Sequence, residues 1–203
     1  MTTITLRRLR PNDSIDELTA MLRRAFARLG AAGLNCSCVD QTTYTTRRRI
    51  ALGDCLVALA GPRIVGTVTL QTSDSEADIA WYRHPSVVSL HQLAVAPAHQ
   101  ATGIGQALLR AAEDWARKQR CTALALDTPE PARHLLAYYA RQGFRRQSTV
   151  QVAGRGYRSA VLSKPVRRAA GWLDLEGWPP RHPAEMALLA RRCRSHGHVA
   201  ASR

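Results

Sequence analysis

The chain of 203 residues is short of lysine, short of acidic residues and without a long apolar run. Lys118 and Lys164 are its only lysines; the rest of its 29 basic residues are arginine, and set against 15 acidic residues they leave a formal net charge of +14. Such a surface attracts polyanions, but no nucleic-acid-binding motif accompanies the charge. No stretch approaches the eighteen or so apolar residues that span a bilayer, so no membrane association is expected. No apolar segment follows the charges of the opening MTTITLRRLRPNDS, so a secretory signal is not expected either, and the expected compartment is the cytoplasm. Five cysteines, an odd number, stand at Cys36, Cys38, Cys55, Cys121 and Cys193. They form no disulfide framework and suit a reducing compartment. Neither Cys36-x-Cys38 nor Cys193-x-x-His196-x-His198 has a standard zinc-ligand spacing, so no metal is expected. Internal repeats and low-complexity tracts are absent as well. The length suits one domain with a sizeable core, plus an appendage.

What the chain does have is concentrated between Val87 and Gln119. Val87 to Val95 is apolar and β-branched apart from Ser89, His91 and Gln92, which reads as a buried strand. Pro97 stops it. Gln100-Ala101-Thr102-Gly103-Ile104-Gly105 is a short loop with two glycines one residue apart. From Ile104, apolar Ala107, Leu108, Ala111, Ala112, Trp115 and Ala116 recur at helical spacing, with Glu113, Asp114, Arg117 and Lys118 on the wet side. Strand, glycine loop and helix together present unpaired first-turn N–H groups, and the helix dipole adds partial positive charge there. Glycines at 103 and 105 remove Cβ atoms from the path of a phosphate. The loop therefore reads as a diphosphate cradle, against the alternative of an ordinary strand–helix connection. Gly-Lys-Ser/Thr is missing, which excludes a P-loop. Leu108 stands where a dinucleotide fingerprint places its third glycine, and no acidic residue closes a following strand at the ribose distance, which excludes a Rossmann site.

Around this stretch the pattern is α/β with a mixed sheet. Ile4 to Leu9 opens as a strand. Ser14-Ile15-Asp16-Glu17 is a capping box for a helix that Gly30 is expected to end, and Tyr44 to Leu52 forms a second, basic helix. Cys55 to Ala60 and Ile64 to Leu70 make a hairpin around Gly61-Pro62-Arg63. A polar loop over 71–85 follows, in which Trp81 and Tyr82 are either an aromatic substrate wall or core. Thr122 to Asp127 is a strand, Pro131 to Gln142 a helix ended by Gly143, and Phe144 to Val152 and Tyr157 to Ser163 a final strand pair. The domain is expected to span 1–164. A basic extension over 165–203, partly mobile, carries one helical candidate over 183–193 and tethers at Trp172, Leu173, Leu175 and Trp178.

Val95-x-Pro97-x-x-Gln100-x-x-Gly103-x-Gly105 before an apolar helix resembles the acetyl-CoA signature of the GNAT superfamily of N-acetyltransferases. Tyr138-Tyr139-Ala140-Arg141-Gln142-Gly143-Phe144 resembles that family's second landmark, a tyrosine four residues before Gly-Phe. The resemblance covers 4–163 loosely and 90–144 strongly. It implies a GNAT-like mixed sheet flanked by helices. It further implies that acetyl-CoA binds as acyl donor through the backbone of Leu93, Ala94 and Val95 and through Gln100, Ala101, Thr102, Gly103, Ile104, Gly105 and Gln106. The amide near Leu93 would polarise the thioester carbonyl, and Tyr139 would protonate the departing thiolate. Gln100 stands in place of the family's commoner arginine, and the asparagine often found before the last helix is missing from Asp127-Thr128-Pro129-Glu130-Pro131.

For the proton acceptor the central strand offers His91, with Ser89 where some family members carry a carboxylate. Strict alternation would place Ser89, His91, Leu93 and Val95 on one face. A phenol pKa near 10 suits Tyr139 as a donor, and an imidazole pKa near 6.5 suits His91 as an acceptor. The expected activity is acetyl transfer from acetyl-CoA to a primary amine, on a small molecule or a peptide, by direct attack in a ternary complex. A non-catalytic acyl-CoA-binding or regulatory module and a nucleic-acid-associated basic protein are the alternatives, and a homodimer is an oligomeric state open to it. Asp74, Glu76 and Asp78 are the only clustered carboxylates that would attract a cationic amine.

Overall fold

The computed structural model describes residues 3–166. Its elements run β1 (Ile4–Arg8), α1 (Ile15–Ala31), α2 (Thr43–Ala51), β2 (Asp54–Ala60), β3 (Arg63–Gln71), β4 (Val87–Val95), α3 (Ile104–Lys118), β5 (Ala123–Pro129), α4 (Arg133–Arg141), β6 (Arg145–Gln151) and β7 (Arg158–Pro165). The seven strands form one sheet in the order β1-β2-β3-β4-β5-β7-β6. Every pairing is antiparallel except β4 with β5. The basic segment over 167–203, with its expected helix and tryptophan tethers, lies outside the described residues. No described helix is long and apolar enough to cross a membrane.

The helices form where capping and periodicity coincide. Ser14 Oγ accepts from the Glu17 N–H, and Thr42 Oγ1 accepts from the Thr45 N–H, so α1 and α2 each begin on a side-chain cap. Leu18, Met21 and Leu22 of α1 are fully buried in the main core. On α3 the buried set is Ile104, Leu108, Leu109, Ala112, Trp115 and Ala116. This helix comes close to β3 at Gly66, where a Cβ would stand 3.1 Å from both the Ile104 and Leu108 side chains. The opposite face of β3 belongs to α1 and α2. Thr69, three residues along the strand, reaches them through Gln92 and Gln41.

Gly30 does not end α1. The helix continues to Ala31, and the left-handed residue is Gly33, at φ 76°. Gly30 is instead a close approach, since a Cβ there would lie 2.6 Å from Val39 Cγ1. The body also extends slightly beyond the expected boundary at 164. Lys164 and Pro165 pair with Leu124 and Ala123, and the Val166 N–H donates to the Thr122 carbonyl at 2.8 Å.

Replacing Gly30 by alanine gains helix propensity but drives a methyl into a stiff β-branched side chain. Gly30→Ala should lower stability by about 1–2 kcal/mol, and Val39→Ala in the same chain should recover most of that loss in thermal unfolding.

Candidate active site

The site begins where β4 parts from β5. Their parallel ladder pairs Val87 with Ala123, Val88 with Leu124 and Ser89 with Ala125, and then stops. Beyond Ser89, the edge of β4 that faces β5 has no strand on it. On its other side β4 carries a bulge. His91 pairs with Thr69 and Ala94 with Thr67, so β4 spends one extra residue over this step. Gln92, with φ 53°, takes up the irregularity. A left-handed conformation costs a non-glycine residue about 1–2 kcal/mol, and Gln92 is held there by buried hydrogen bonds. Its Nε2 donates to Gln41 Oε1 at 3.2 Å, and its Oε1 accepts from Thr69 Oγ1 at 3.3 Å. Gln41 Nε2 donates in turn to Thr46 Oγ1, which lies 2.7 Å from Thr19 Oγ1 on α1.

The bulge corrects the expected alternation. His91 lies opposite Thr69 and Val95 opposite Gly66, two β3 positions on opposite faces, so His91 and Val95 do not share a face. Ser89 and His91 do. His91 Nε2 stands 2.8 Å from Ser89 Oγ.

Past β4, the chain turns through Pro97–His99 and enters the loop before α3. Ala101 has φ 61° and Gly103 φ 89°. These left-handed residues leave the N–H groups over 101–106 without a hydrogen-bond acceptor among the described residues. Gln100 Nε2 donates to the Val95 carbonyl and Thr102 Oγ1 to the His99 carbonyl, which fixes the loop from within. Gly105 borders the cavity and also stands against α4. A Cβ there would lie 2.7 Å from Tyr138 Oη, so its missing side chain makes room for the α4 tyrosine.

Loop, open strand edge and α4 enclose one cavity of about 580 Å³. Leu93, Ala94, Val95, Gln100, Ala101, Gly103, Gly105 and Gln106 line it, as do His91 and Tyr139. Thr102 and Ile104 do not, and Ile104 is buried in the core. Two buried polar atoms along this wall, His99 Nδ1 and Tyr138 Oη, have no hydrogen-bond partner among the described residues. Unpaired main-chain donors with orphaned polar side chains beside them fit an elongated, phosphate-bearing ligand.

At the far end lies a cluster that the sequence reading missed. The step from Ser89/Ala125 puts Asp127 of β5 level with His91, on the same face. Tyr82 Oη donates to Asp127 Oδ1 at 2.9 Å, and Arg155 forms an ion pair with the same carboxylate. The Tyr82 and His91 rings meet edge to face at 5.3 Å. Burial and, after it, the Arg49 guanidinium push the His91 pKa down to about 4. Tyr139, with Tyr138 and Phe144 packed at its ring edges, is held above the ordinary phenol range, mainly by burial. Its hydroxyl has no hydrogen-bond partner among the described residues. Tyr82 is core, and neither it nor Trp81 lines the cavity. Asp74, Glu76 and Asp78 do not line it either. Cys36, Cys38, Cys55 and Cys121 are buried, and no described group of three His, Cys, Asp or Glu residues is placed to hold a metal ion.

A sequence model of the Acetyltransferase (GNAT) family matches residues 19–144. The chain belongs to this family. Solved structures agree on the fold. The ribosomal-protein-S18-alanine N-acetyltransferase of Escherichia coli superposes with a TM-score of 0.62 at 15% identity, over 85% of this chain and 99% of that one. A putative acetyltransferase from Salmonella typhimurium, solved with its cofactor acetyl-CoA, gives 0.61 at 17% identity, over 84% and 98%. A GNAT family acetyltransferase from Elizabethkingia anophelis with acetyl-CoA bound gives 0.57 at 18% identity, over 80% and 97%. Identities this low carry the fold alone. Among curated proteins, none matches the sequence at a significant level.

In this GNAT chain Tyr138 and Gly105 compete for one space. Gly105→Ala should destabilise the protein, whereas Tyr138→Phe should be neutral or stabilising because it removes an unpartnered buried hydroxyl. In the Tyr138→Phe background the nearest atom to the new methyl is ring carbon Cζ, at 3.6 Å. A double-mutant cycle on unfolding free energy should therefore show a coupling of about 1–2 kcal/mol.

Proposed function

We propose that this protein is an acetyl-CoA-dependent N-acetyltransferase that acts on a primary amine by direct attack in a ternary complex. One observation carries the reading. The unpaired donors of Ala101, Gly103, Gly105 and Gln106, the open edge of β4 and the unpartnered Tyr139 hydroxyl all border the same cavity. A phosphate group on the loop and an extended arm along β4 would bring a thioester to the region between Leu93 and Tyr139. Bound there, acetyl-CoA supplies the activated acetyl group.

The chain supplies position and protons. Backbone donors at the bulge, around Leu93, border the cavity beside the space left by β5 and would suit an oxygen that gains negative charge. Tyr139 keeps its proton throughout the physiological range, because burial disfavours the phenolate, and so it is available to protonate a leaving thiolate. His91 serves the amine. Ser89 Oγ directs its hydrogen towards the Gln71 carbonyl at 3.4 Å and accepts from His91 Nε2. In this arrangement Nε2 would carry the proton and the Nδ1 lone pair would orient the incoming amine. With a pKa of about 4, His91 is a hydrogen-bond acceptor rather than a proton store, and the amine proton passes on to solvent.

Coenzyme A release is the measurement, run with acetyl-CoA and a panel of primary amines. Tyr139→Phe should keep coenzyme affinity and lose roughly 10²–10⁴-fold in kcat. Unchanged kcat would remove Tyr139 from the reaction, and coenzyme binding without turnover of any amine would favour a non-catalytic module.

The pH profile tests His91 separately. The depressed folded value means that the neutral ring persists below the usual imidazole range. The acid limb of kcat/KM assigned to His91 should therefore fall near pH 4 rather than 6.5. A His91-dependent limb between pH 6 and 7 would contradict the assignment.

A further inference from the structure

The charge inside the cavity is lopsided. Arg28, Arg49, Arg141 and Arg155 line it, and among the described residues Asp127 is its only carboxylate. That carboxylate is already committed, paired with Arg155 and hydrogen-bonded by Tyr82. Arg155 is committed as well, since the same Nη1 donates to Ser159 Oγ at 2.6 Å.

Arg49 is different. It stands in the last turn of α2 and is half-buried. Its Nη1 donates to Gln41 Oε1 at 3.0 Å and lies 3.4 Å from Cys38 Sγ. Both are neutral groups, and no described carboxylate lies within ion-pair distance of it. Nε and Nη2 have no hydrogen-bond partner among the described residues. A half-buried guanidinium with an open donor edge lacks the anion that its geometry suits. Its field reaches His91, as do those of Asp127, Asp74 and Arg155. Arg155 adds to it, Asp127 and Asp74 oppose it, and Asp74 sits on an exposed loop outside the cavity, where its Oδ1 accepts from the Glu76 N–H. Arg49 is thus the strongest of the charges acting on His91.

We infer that the acceptor is an amine that also carries a carboxylate, and that Arg49 binds that carboxylate while the amine faces His91. This rests on the N-acetyltransferase reading above. A purely cationic amine would meet like charge at Arg49 with no carboxylate free to offset it. An amino acid brings its own counter-charge and fills the open donor edge in the bidentate manner that guanidinium favours.

The test uses the full chain with acetyl-CoA and matched acceptors. These are the L-amino acids together with β-alanine, 4-aminobutyrate and 6-aminohexanoate, each beside its carboxamide. Coenzyme binding is measured separately by calorimetry. Free acids should be acetylated with kcat/KM at least about tenfold above their amides. Arg49→Gln should raise KM for the best acid about 10–100-fold, with kcat and coenzyme affinity little changed. Arg49→Lys should restore part of the loss, and Arg48→Gln, on the exposed side of the same helix, should change nothing. Amides accepted as well as acids would overturn the inference, as would unchanged KM in Arg49→Gln or turnover of none of the acids by a protein that binds coenzyme. Absence of coenzyme binding would instead sink the acetyltransferase reading beneath it.

Discussion

Loss of pairing between β4 and β5 after Ser89 is the constraint on which the rest of the site depends. Two parallel strands in the middle of a sheet ordinarily continue their ladder, and stopping it leaves polar backbone exposed to a cavity. The cost is localised at the bulge, where Gln92 sits in a left-handed conformation. The compensation is a buried chain of side-chain hydrogen bonds from Thr69 through Gln92 and Gln41 to Thr46 and Thr19. It ties the irregular strand to α1 and α2, so elements that wall the cavity also hold the strand edge open. Arg49 joins the same chain at Gln41.

The second half of the site follows from helix geometry. A helix that starts directly after a strand must leave its first N–H groups without intrahelical acceptors, and here the loop before α3 contributes no substitutes. α4 then roofs the gap. Leu135 packs with Phe26 and Leu29 of α1, while Tyr138 reaches Gly105 of α3 and Tyr139 turns into the core beside the cavity. The same short helix therefore closes the pocket and presents its phenol. Asp127 lines the cavity level with His91, and Tyr82 packs behind both in the core.

The strand over Val87–Val95 and the helix from Ile104 were legible in the sequence because each is a long run with one clear period. The Gly103 turn and the tyrosine four residues before Gly143 were legible because their spacing is local. The constraint on Gly30 and the second constraint on Gly105 were hidden for a common reason. Both glycines are required by a side chain distant in sequence, Val39 for one and Tyr138 for the other, and nothing near them in the chain signals it. The bulge was hidden as well, since an extra residue in β4 shows only against its partner β3, and strict alternation then put Val95 on the wrong face. Asp127 and Arg155 became visible only once strand register was known. The preference of His91 for the neutral state is likewise set by burial and by Arg49 on another element.

The central claim is that the main-chain donors over 101–106 grip a coenzyme A diphosphate. The direct measurement is amide hydrogen exchange across the chain with and without coenzyme A, alongside calorimetric titration. The account predicts saturable heat and strong protection concentrated at 101–106, with a smaller effect along 93–95. Saturable binding that leaves the 101–106 amides unprotected, or no heat at all, would contradict it.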